Sequence, residues 1–196
     1  MEEKLIVLQR SRKETEDSLS DEGIAAACGT GDRSAITILY DRFHQRVARF
    51  IYRLNGRDQV DDMVQAVFLE VVRGNTVYDG RSSVTTWLFS IAANIVRHQR
   101  RSFARKLKLS NALLDERRPA IALPEDGLDD EDRIVRANQA LQELSETQRA
   151  AFVLCVLEGL SAKEAALALE TSESAVWKRV CKARATLRRK VLEEAP

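Results

Sequence analysis

The sequence predicts an all-α protein with two small helical domains joined by an acidic linker, of which the second domain is a helix-turn-helix. Apolar residues recur at spacings of three and four over most of the chain, which is the period of a buried helical face. Only three prolines occur, and Pro119, Pro124 and Pro196 lie in the acidic segment or at the last position. Positive charge is concentrated in two runs that flank the acidic segment, as expected for two elements with a connector between them.

The chain has 196 residues, of which 44% are hydrophobic and 31% charged, enough for one large domain or two small ones. Its net charge of +1 hides the segregation. Residues 97–108 contain six Lys or Arg and no acid, and residues 178–190 contain seven and no acid. Residues 115–132 contain eight acids and two arginines. The two basic runs indicate a polyanionic partner.

Cysteine and histidine usage predicts neither a metal site nor a cofactor. Cys28, Cys155 and Cys181 are widely spaced, and the chain has only two histidines, so no zinc-ligand spacing occurs. An odd number of widely spaced cysteines favours a reduced chain in the cytoplasm. The short apolar run over residues 5–8 lies among charges, so we expect neither a signal peptide nor membrane insertion.

The first domain is expected over residues 20–108, after an N-terminal extension over residues 1–19 that we expect to be mobile. Ser20 is placed to cap the first helix. A break over residues 74–83 precedes the last helix of the domain. The apolar period predicts four helices: 21–28, about 33–54, about 59–73 and about 85–105.

Residues 109–133 have prolines, a glycine and dense acid without a sustained period, so they are predicted to be the linker. It is either a solvated spacer or a segment whose carboxylates imitate phosphates in a nucleic-acid channel. The second domain is expected over residues 134–196. It begins with helices over residues 134–144 and 145–158, followed by the helix-turn-helix.

Two helix starts in the second domain carry a capping box, "SETQ" at residues 145–148 and "SAKE" at residues 161–164. A short turn, "ETS", then leads into a basic helix that Ser172 can cap. Two short helices with such a turn, the second of them basic, are typical of a DNA-binding helix-turn-helix. A basic helix that is only solvated remains an alternative, although thirteen residues without an acid favour DNA.

A helical wheel of the last helix fixes which residues face outward. Val176, Val180, Ala183 and Leu187 share the arc that must face the core. Trp177 lies at the edge between the two faces, so the wheel leaves open whether it packs or reads DNA. The opposite face holds Ser174, Lys178, Cys181, Lys182, Ala185 and Arg189.

Two blocks of the sequence resemble a known family. "LYDRFHQRVARFIYRLNGRDQVDDMVQAVFLEVV", followed by "YDGRSSVTTWLFSIAANIVRHQRR", is similar to the first conserved domain of bacterial sigma factors of the extracytoplasmic-function group. "LSETQRAAFVLCVLEGLSAKEAALALETSESAVWKRVCKARATLRR" is similar to their second. The resemblance covers residues 20–105 and 134–192 in the family's order. It implies core RNA polymerase and promoter DNA as partners, and an anti-sigma factor as a further one.

The resemblance assigns "DDMVQAVFL" to the helix that binds core RNA polymerase. The implied contacts are Asp61, Asp62, Gln65 and Phe68, although Phe68 is at least as well explained by packing in the core. The polar residues would offer acids and an amide to cationic groups of the polymerase. A plain amphipathic helix with a polar face is the alternative.

The resemblance assigns "YDGRSS" to the loop that captures a flipped base of the non-template strand at the −10 element, where an aromatic platform suits stacking. Val84 stands where the family commonly has an aromatic residue. The implied strand contacts are Tyr78, Asp79, Gly80, Arg81, Ser82, Ser83, Asn94, Arg97, Arg100 and Arg101.

The second block implies binding of the −35 element as duplex DNA. Glu170 occupies the turn position where glycine is usual, so we expect strain at a positive φ or a remodelled turn. Trp177 replaces a residue that is usually polar or basic. The implied duplex contacts are Ser174, Trp177, Lys178, Cys181, Lys182 and Arg184, of which Arg184, like Arg179, would lie nearer the DNA backbone or the protein's own acids.

The sequence therefore predicts an alternative sigma factor that binds core polymerase, recognises both promoter elements and promotes strand opening without catalysis of its own. The alternative is a two-domain helix-turn-helix regulator that binds duplex DNA without serving as a polymerase subunit. It leaves "DDMVQAVFL" and "YDGRSS" without a function. A helical enzyme is not supported, because no Cys/His pair, Ser/His/Asp set or phosphate loop occurs.

Overall fold

A computed structural model describes residues 20–109 and 128–194. The predicted extension over residues 1–19 and the linker residues 110–127 lie outside these ranges. Every element within them is helical and none is a strand, which confirms the all-α prediction. None of the helices in this part of the chain combines the length and the apolar character needed to cross a membrane.

In the described part of the chain, eight α-helices and one π-helical turn form two groups, which we call the first unit (α1 to α4) and the second unit (α5 to α8). The first unit contains α1 (Asp21–Cys28), α2 (Arg33–Asn55), α3 (Val60–Val72) and α4 (Val84–Leu109). The second contains α5 (Leu128–Gln142), α6 (Glu146–Phe152), the π-helical turn (Val153–Leu157), α7 (Ala162–Ala168) and α8 (Glu173–Glu194).

The predicted helix starts are fixed by side-chain caps. The Ser20 hydroxyl accepts a hydrogen bond from the amide of Gly23 at 3.1 Å. Ser145 and Ser161 each form the complete capping box, in which the serine and a residue three positions later satisfy each other's backbone amides. The Ser172 hydroxyl accepts from the amide of Ala175 at 3.3 Å, as expected at the start of the last helix. These caps confirm the sequence-based starts of α1, α6, α7 and α8.

Two boundaries differ from the prediction. Helix α4 continues to Leu109 rather than ending near residue 105. Helix α5 begins at Leu128, within the segment predicted to be linker, and its first turns carry the acidic sequence "DDED". Acids stabilise a helix N-terminus through its dipole, so the charge that suggested a linker is favourable in this helix. The helix predicted over residues 145–158 also changes to a π-helical turn after Phe152.

The core of the first unit forms around α2. Leu39, Val47 and Phe50 are fully buried on one side of that helix, and Phe50 stacks on Phe89 of α4 with ring centroids 4.2 Å apart. In α8, Val176, Val180 and Ala183 are buried as the helical wheel predicted. The buried residues of both units belong to one continuous hydrophobic cluster, so the units pack against each other.

Candidate functional site

Helix α3 presents the predicted polymerase contacts unevenly. Asp61, Asp62 and Gln65 are exposed along its outer face. Phe68 is only 5% exposed and packs edge-on against Tyr40, with ring centroids 4.9 Å apart. The structure therefore places Phe68 in the core, because its position on the helix faces α2. The polar face of α3 is formed by the other three residues.

The loop before α4 is held in place by its own aromatic residue. Tyr78 is 9% exposed, its hydroxyl donates to the carbonyl of Ser82 at 2.6 Å, and its ring centroid lies 5.5 Å from that of Trp87. The ring is therefore buried in this structure, and its role as a stacking platform for a base stays a prediction. Tyr78 supports the loop from its buried side, because its hydroxyl is hydrogen-bonded to the backbone carbonyl of Ser82.

The tip of the loop is ordered by hydrogen bonds among the remaining predicted residues. Asp79 accepts from the amide of Arg81 at 3.0 Å and from the guanidinium of the same residue at 2.5 Å. These bonds hold the pKa of Asp79 below its usual range, the backbone bond having the larger effect. Gly80 between them has φ 74°, a conformation that favours glycine. The loop thus keeps a fixed shape while Arg81 and Asp79 remain exposed.

The start of α4 explains why valine is accepted where an aromatic residue was expected. Ser83 precedes the helix, and its hydroxyl accepts from the amide of Thr86 at 3.1 Å. Val84 follows and is 2% exposed within the core. The hydroxyl of Ser83 is therefore used as a helix cap, and Val84 fills a packing position.

An open groove of about 1110 Å³, which we call the strand groove, runs beside the loop along α4. Trp87, Asn94 and His98 line it from α4. Phe103 also lines it and is 68% exposed, although the sequence analysis did not select it. An aromatic residue inside a basic run was the signal that could have identified it. Exposed aromatic faces beside cations are what a groove for unpaired bases requires.

The three predicted arginines of α4 do not share one role. Arg100 donates to the side-chain oxygen of Asn55 and to the carbonyl of Leu54, each at 2.9 Å, so it is held against the end of α2. Two of its guanidinium nitrogens are thus engaged within the chain, and its contact with strand phosphates stays a prediction. Arg97 and Arg101 line a smaller cavity of about 160 Å³ between the two units.

Helix α8 presents its predicted duplex contacts together. Trp177 is 58% exposed, so its ring is not packed in the core; whether it reads bases stays a prediction. Cys181 is a free, exposed thiol. All six predicted duplex contacts are exposed on this helix: Ser174, Trp177, Lys178, Cys181, Lys182 and Arg184.

The turn before α8 keeps a left-handed residue despite the missing glycine. Glu170 has φ 50°, and the amide of Thr171 donates to the carbonyl of Ala166 at 3.0 Å to close the helix end. The turn is therefore strained rather than remodelled. The Glu170 side chain reaches the first unit, where the Asn94 side chain donates to its carboxylate at 3.1 Å.

Two further residues join the units, and neither was singled out from the sequence. Arg149 is 4% exposed, and its guanidinium donates to backbone carbonyls of both units. Glu158 forms ion pairs with Arg53 and Arg46 of α2. Within residues 20–109 and 128–194, no group of three or more His, Cys, Asp or Glu could hold a metal ion.

Comparison with protein families gives two matches in the order of the two units. The family model for Sigma-70 region 2 matches residues 39–106, and that for Sigma-70, region 4 matches residues 134–187. The chain is 31% identical over 144 residues to the ECF RNA polymerase sigma factor SigX of Bacillus subtilis (strain 168). The aligned region covers 71% of this chain and 74% of SigX. It is 26% identical over 183 residues to the ECF RNA polymerase sigma-E factor of Escherichia coli (strain K12), covering 89% and 96%.

Solved structures give the same fold. CnrH in complex with the cytosolic domain of CnrY superposes with a TM-score of 0.67 at 25% identity, over 89% of this chain and 99% of that chain. The sigma factor RpoE in complex with the anti-sigma factor NepR, from Bartonella quintana, superposes with a TM-score of 0.65 at 24% identity, over 80% and 96%. The second similarity supports the fold alone.

Proposed function

The chain belongs to the ECF RNA polymerase sigma factors, and from this premise we propose which of its surfaces bind core polymerase and each promoter element. Residues 20–108 would form the domain that binds core RNA polymerase and the −10 element. Residues 134–196 would form the domain that binds the −35 element. The chain would act in the cytoplasm, where core polymerase works, and catalyse no reaction itself.

Core polymerase would bind the polar face of α3. Asp61 and Asp62 are exposed in the first turn of that helix, where they are also favourable to the helix dipole. Gln65 lies one turn later on the same exposed face. Because Phe68 packs inward, we expect its replacement to disturb folding and the replacement of the acids to weaken polymerase binding.

The strand groove would hold the non-template strand of the −10 element. The tip of its loop is tied together by the Asp79–Arg81 hydrogen bonds, and its exposed aromatic, Phe103, offers a face for stacking. Arg81 lines the groove and is an exposed cation that can contact phosphates there, and Arg101 is exposed nearby on α4. Stacking of an extruded base offsets the few kcal/mol of unstacking, so strand opening needs no nucleotide hydrolysis.

The outer face of α8 would enter the major groove at the −35 element. Lys178, Cys181 and Lys182 lie along its exposed side, and Ser174 lies at the helix start. Trp177 is exposed beside Lys178, so it is available for contact with DNA rather than needed for the fold. Arg184 lies further along the helix, where a contact with the phosphate backbone is expected.

One observation supports this proposal above the others: a single chain carries an exposed acidic helix face, a groove with a fixed loop, and an exposed basic recognition helix. The alternative of a helix-turn-helix regulator that works without polymerase is not favoured, since it uses only the last of these. The family membership also makes an anti-sigma factor an expected partner.

Reconstituted transcription tests the proposal. Core polymerase from the source organism, supplied with this chain and a library of genomic fragments, should start transcripts at defined sites, and neither component alone should do so. Asp61→Asn combined with Asp62→Asn should weaken core binding while leaving helix content unchanged. Specific binding of the isolated chain to duplex promoters, with no gain when core polymerase is added, would instead support the regulator.

A further inference from the structure

A small cavity of about 160 Å³ lies where the two units meet. Part of its lining is apolar and buried, with Ala93 and Val96 from α4 and Leu169 from the end of α7. Glu146 and Thr147 also line it and are exposed, so the cavity is open to solvent on that side. A polar ligand that enters therefore lies beside apolar side chains, which strengthen its electrostatic interactions with the rest of the lining.

The positively charged lining comes from both units. Arg97 and Arg101 belong to α4, and Arg179 belongs to α8. Arg97 and Arg179 are half-buried. A guanidinium group keeps its positive charge at every physiological pH. Two half-buried positive charges, one from each unit, therefore share a cavity of small volume.

These two arginines lack carboxylate partners. In the part of the chain that the structure describes, neither the guanidinium of Arg97 nor that of Arg179 forms an ion pair or a hydrogen bond. The acids that line the cavity are Glu146 and Glu170, and the Glu170 carboxylate accepts the hydrogen bond from Asn94. Three arginines thus face two glutamates. A partly buried charge without a partner is unfavourable, so the cavity is suited to an additional negative charge.

Residues beside the cavity add to its positive charge. Leu54 lines it, and the carbonyl of Leu54 accepts hydrogen bonds from Arg100 at 2.9 Å and from Arg149 at 2.6 Å. Burial lowers the pKa of Arg149 to about 10, and the positive charge of Arg100 is a smaller cause. The electrostatic field of both guanidinium groups therefore favours an anion in the cavity.

The volume of the cavity limits the size of the ligand. A tetrahedral oxyanion takes roughly the volume of three water molecules, about 90 Å³ at about 30 Å³ each. A cavity of about 160 Å³ therefore holds one such ion with a little water. Clefts for larger organic ligands begin at roughly 300 Å³, so a nucleotide or a nucleic-acid strand does not fit. The volume selects a small inorganic anion.

We propose that this cavity binds inorganic phosphate, held between the guanidinium groups of Arg97 and Arg179. Each guanidinium has paired N–H donors that match two oxygens of a phosphate. The two carboxylates of the lining select phosphate among the oxyanions, because phosphate at neutral pH keeps an O–H that can donate to Glu146 or Glu170. Sulfate has no proton to donate, and both acids repel it.

This site is additional to the proposed function, because it requires neither core polymerase nor promoter DNA. Isothermal titration calorimetry of the free full-length chain with sodium phosphate tests it, at about pH 7.5 and with the ionic strength held constant by sodium chloride. We expect one phosphate per chain, with a dissociation constant on the order of 1 mM for so open a site. Sulfate should bind about fivefold more weakly or worse, since it lacks the hydrogen bond to a carboxylate.

Ethyl phosphate distinguishes free phosphate from a phosphate group carried by a larger molecule. Its second pKa is near 6, so at about pH 7.5 it is mainly the dianion without an O–H, and its ethyl group takes additional volume. We expect it to bind more weakly than inorganic phosphate.

Variants locate the binding in the cavity. Arg97→Gln and Arg179→Gln should each weaken phosphate binding about tenfold, because each removes a charge-assisted contact. The matched control is Arg188→Gln, which removes the same charge from an exposed position of α8 outside the cavity and should match the parent. Glu146→Gln should narrow the difference between phosphate and sulfate, since it removes a charge that repels sulfate. Circular dichroism checks that each variant is folded, and the two arginine variants alter different units.

The following results would overturn the proposal. One is the absence of binding heat at phosphate concentrations about twentyfold above the expected dissociation constant. Another is equal weakening by Arg188→Gln, which would show that binding reflects net charge alone. If sulfate or ethyl phosphate binds as tightly as inorganic phosphate, the assignment to inorganic phosphate is wrong. The sigma-factor assignment is independent of these results, since transcription with core polymerase tests it separately.

Discussion

Replacement of Arg149 by alanine should destabilise the chain more than any surface substitution. The Arg149 side chain is buried and donates to the carbonyls of Leu141 at 2.7 Å, Gln142 at 2.8 Å and Leu144 at 3.0 Å, besides that of Leu54. It also donates to the side-chain oxygen of Gln142. Three of these carbonyls lie at or just after the end of α5, where the Leu141 carbonyl also accepts from the amide of Leu144 at 3.2 Å. The residue therefore caps two helices at once.

The expected loss in the free energy of unfolding follows from these hydrogen bonds. A hydrogen bond that involves a charged group contributes about 1.5–3 kcal/mol, and a buried carbonyl left without a donor costs about 1–3 kcal/mol. The bonds of one guanidinium are not additive, so we expect a total loss of about 3–5 kcal/mol for Arg149→Ala. Arg149→Lys keeps the charge but not the planar set of donors, and should lose about half as much.

Urea unfolding followed by far-ultraviolet circular dichroism measures this loss, with separate fits if the two units unfold in separate transitions. Burial lowers the pKa of Arg149 to about 10, with the positive charge of Arg100 as a smaller cause. The group is thus protonated in both the folded and the unfolded chain below pH 9, and its contribution to the free energy of unfolding should be equal at pH 6 and pH 8. A loss under about 1 kcal/mol, or a marked pH dependence in that window, would refute the role as a cap.

Three further substitutions or reactions test other parts of the structure. Trp177→Ala should keep the melting temperature, because the ring is exposed, yet its complex with core polymerase should lose discrimination among −35 sequences in fluorescence anisotropy; unchanged discrimination would exclude base reading. Ser161→Ala should cost roughly 1 kcal/mol in urea unfolding. Hydrogen bonds from Ser161 lower the pKa of Glu164, so this cost should shrink as acid protonates that carboxylate, and a constant cost down to pH 3 would contradict it. With a thiol reagent at pH 8, Cys181 should react first. Burial, with Asp32 as a smaller cause, raises the pKa of Cys28 to about 11, so its thiolate should be at least about a hundredfold scarcer than that of an ordinary cysteine; rapid labelling of both thiols would refute this.

The parts of the fold that depend on neighbouring residues could be predicted from the sequence. The capping boxes at Ser145 and Ser161 combine groups three residues apart, so the sequence contains the whole interaction. The buried arc of Val176, Val180 and Ala183 follows from the helical period alone. The same period predicted an outward face for α8, and its residues are exposed.

The contacts between distant residues could not be predicted in this way. Glu158 and Arg53 are separated by 105 residues along the chain, and nothing in the local pattern of either shows that they pair. Tyr78 was expected to be a platform because an aromatic residue in a loop looks the same in sequence whether its ring is free or buried. Its hydroxyl bond to the Ser82 carbonyl appears only once the loop is folded. The acidic residues at the start of α5 were predicted to be linker for a similar reason, since acids are compatible with both a linker and a helix start.

At Glu170, backbone strain coincides with a contact between the two units. A non-glycine residue at φ 50° costs about 1–2 kcal/mol relative to glycine, and a carboxylate at the edge of a DNA-binding turn also repels phosphate. A glycine at position 170 would avoid both costs. Neither the geometry of the turn nor the binding of duplex DNA therefore explains why a glutamate stands there. The contact that does use its carboxylate is the hydrogen bond from Asn94 in the strand groove. Backbone strain of this kind persists where the surrounding structure compensates for it, and here the hydrogen bond from Asn94 holds the strained turn against the first unit.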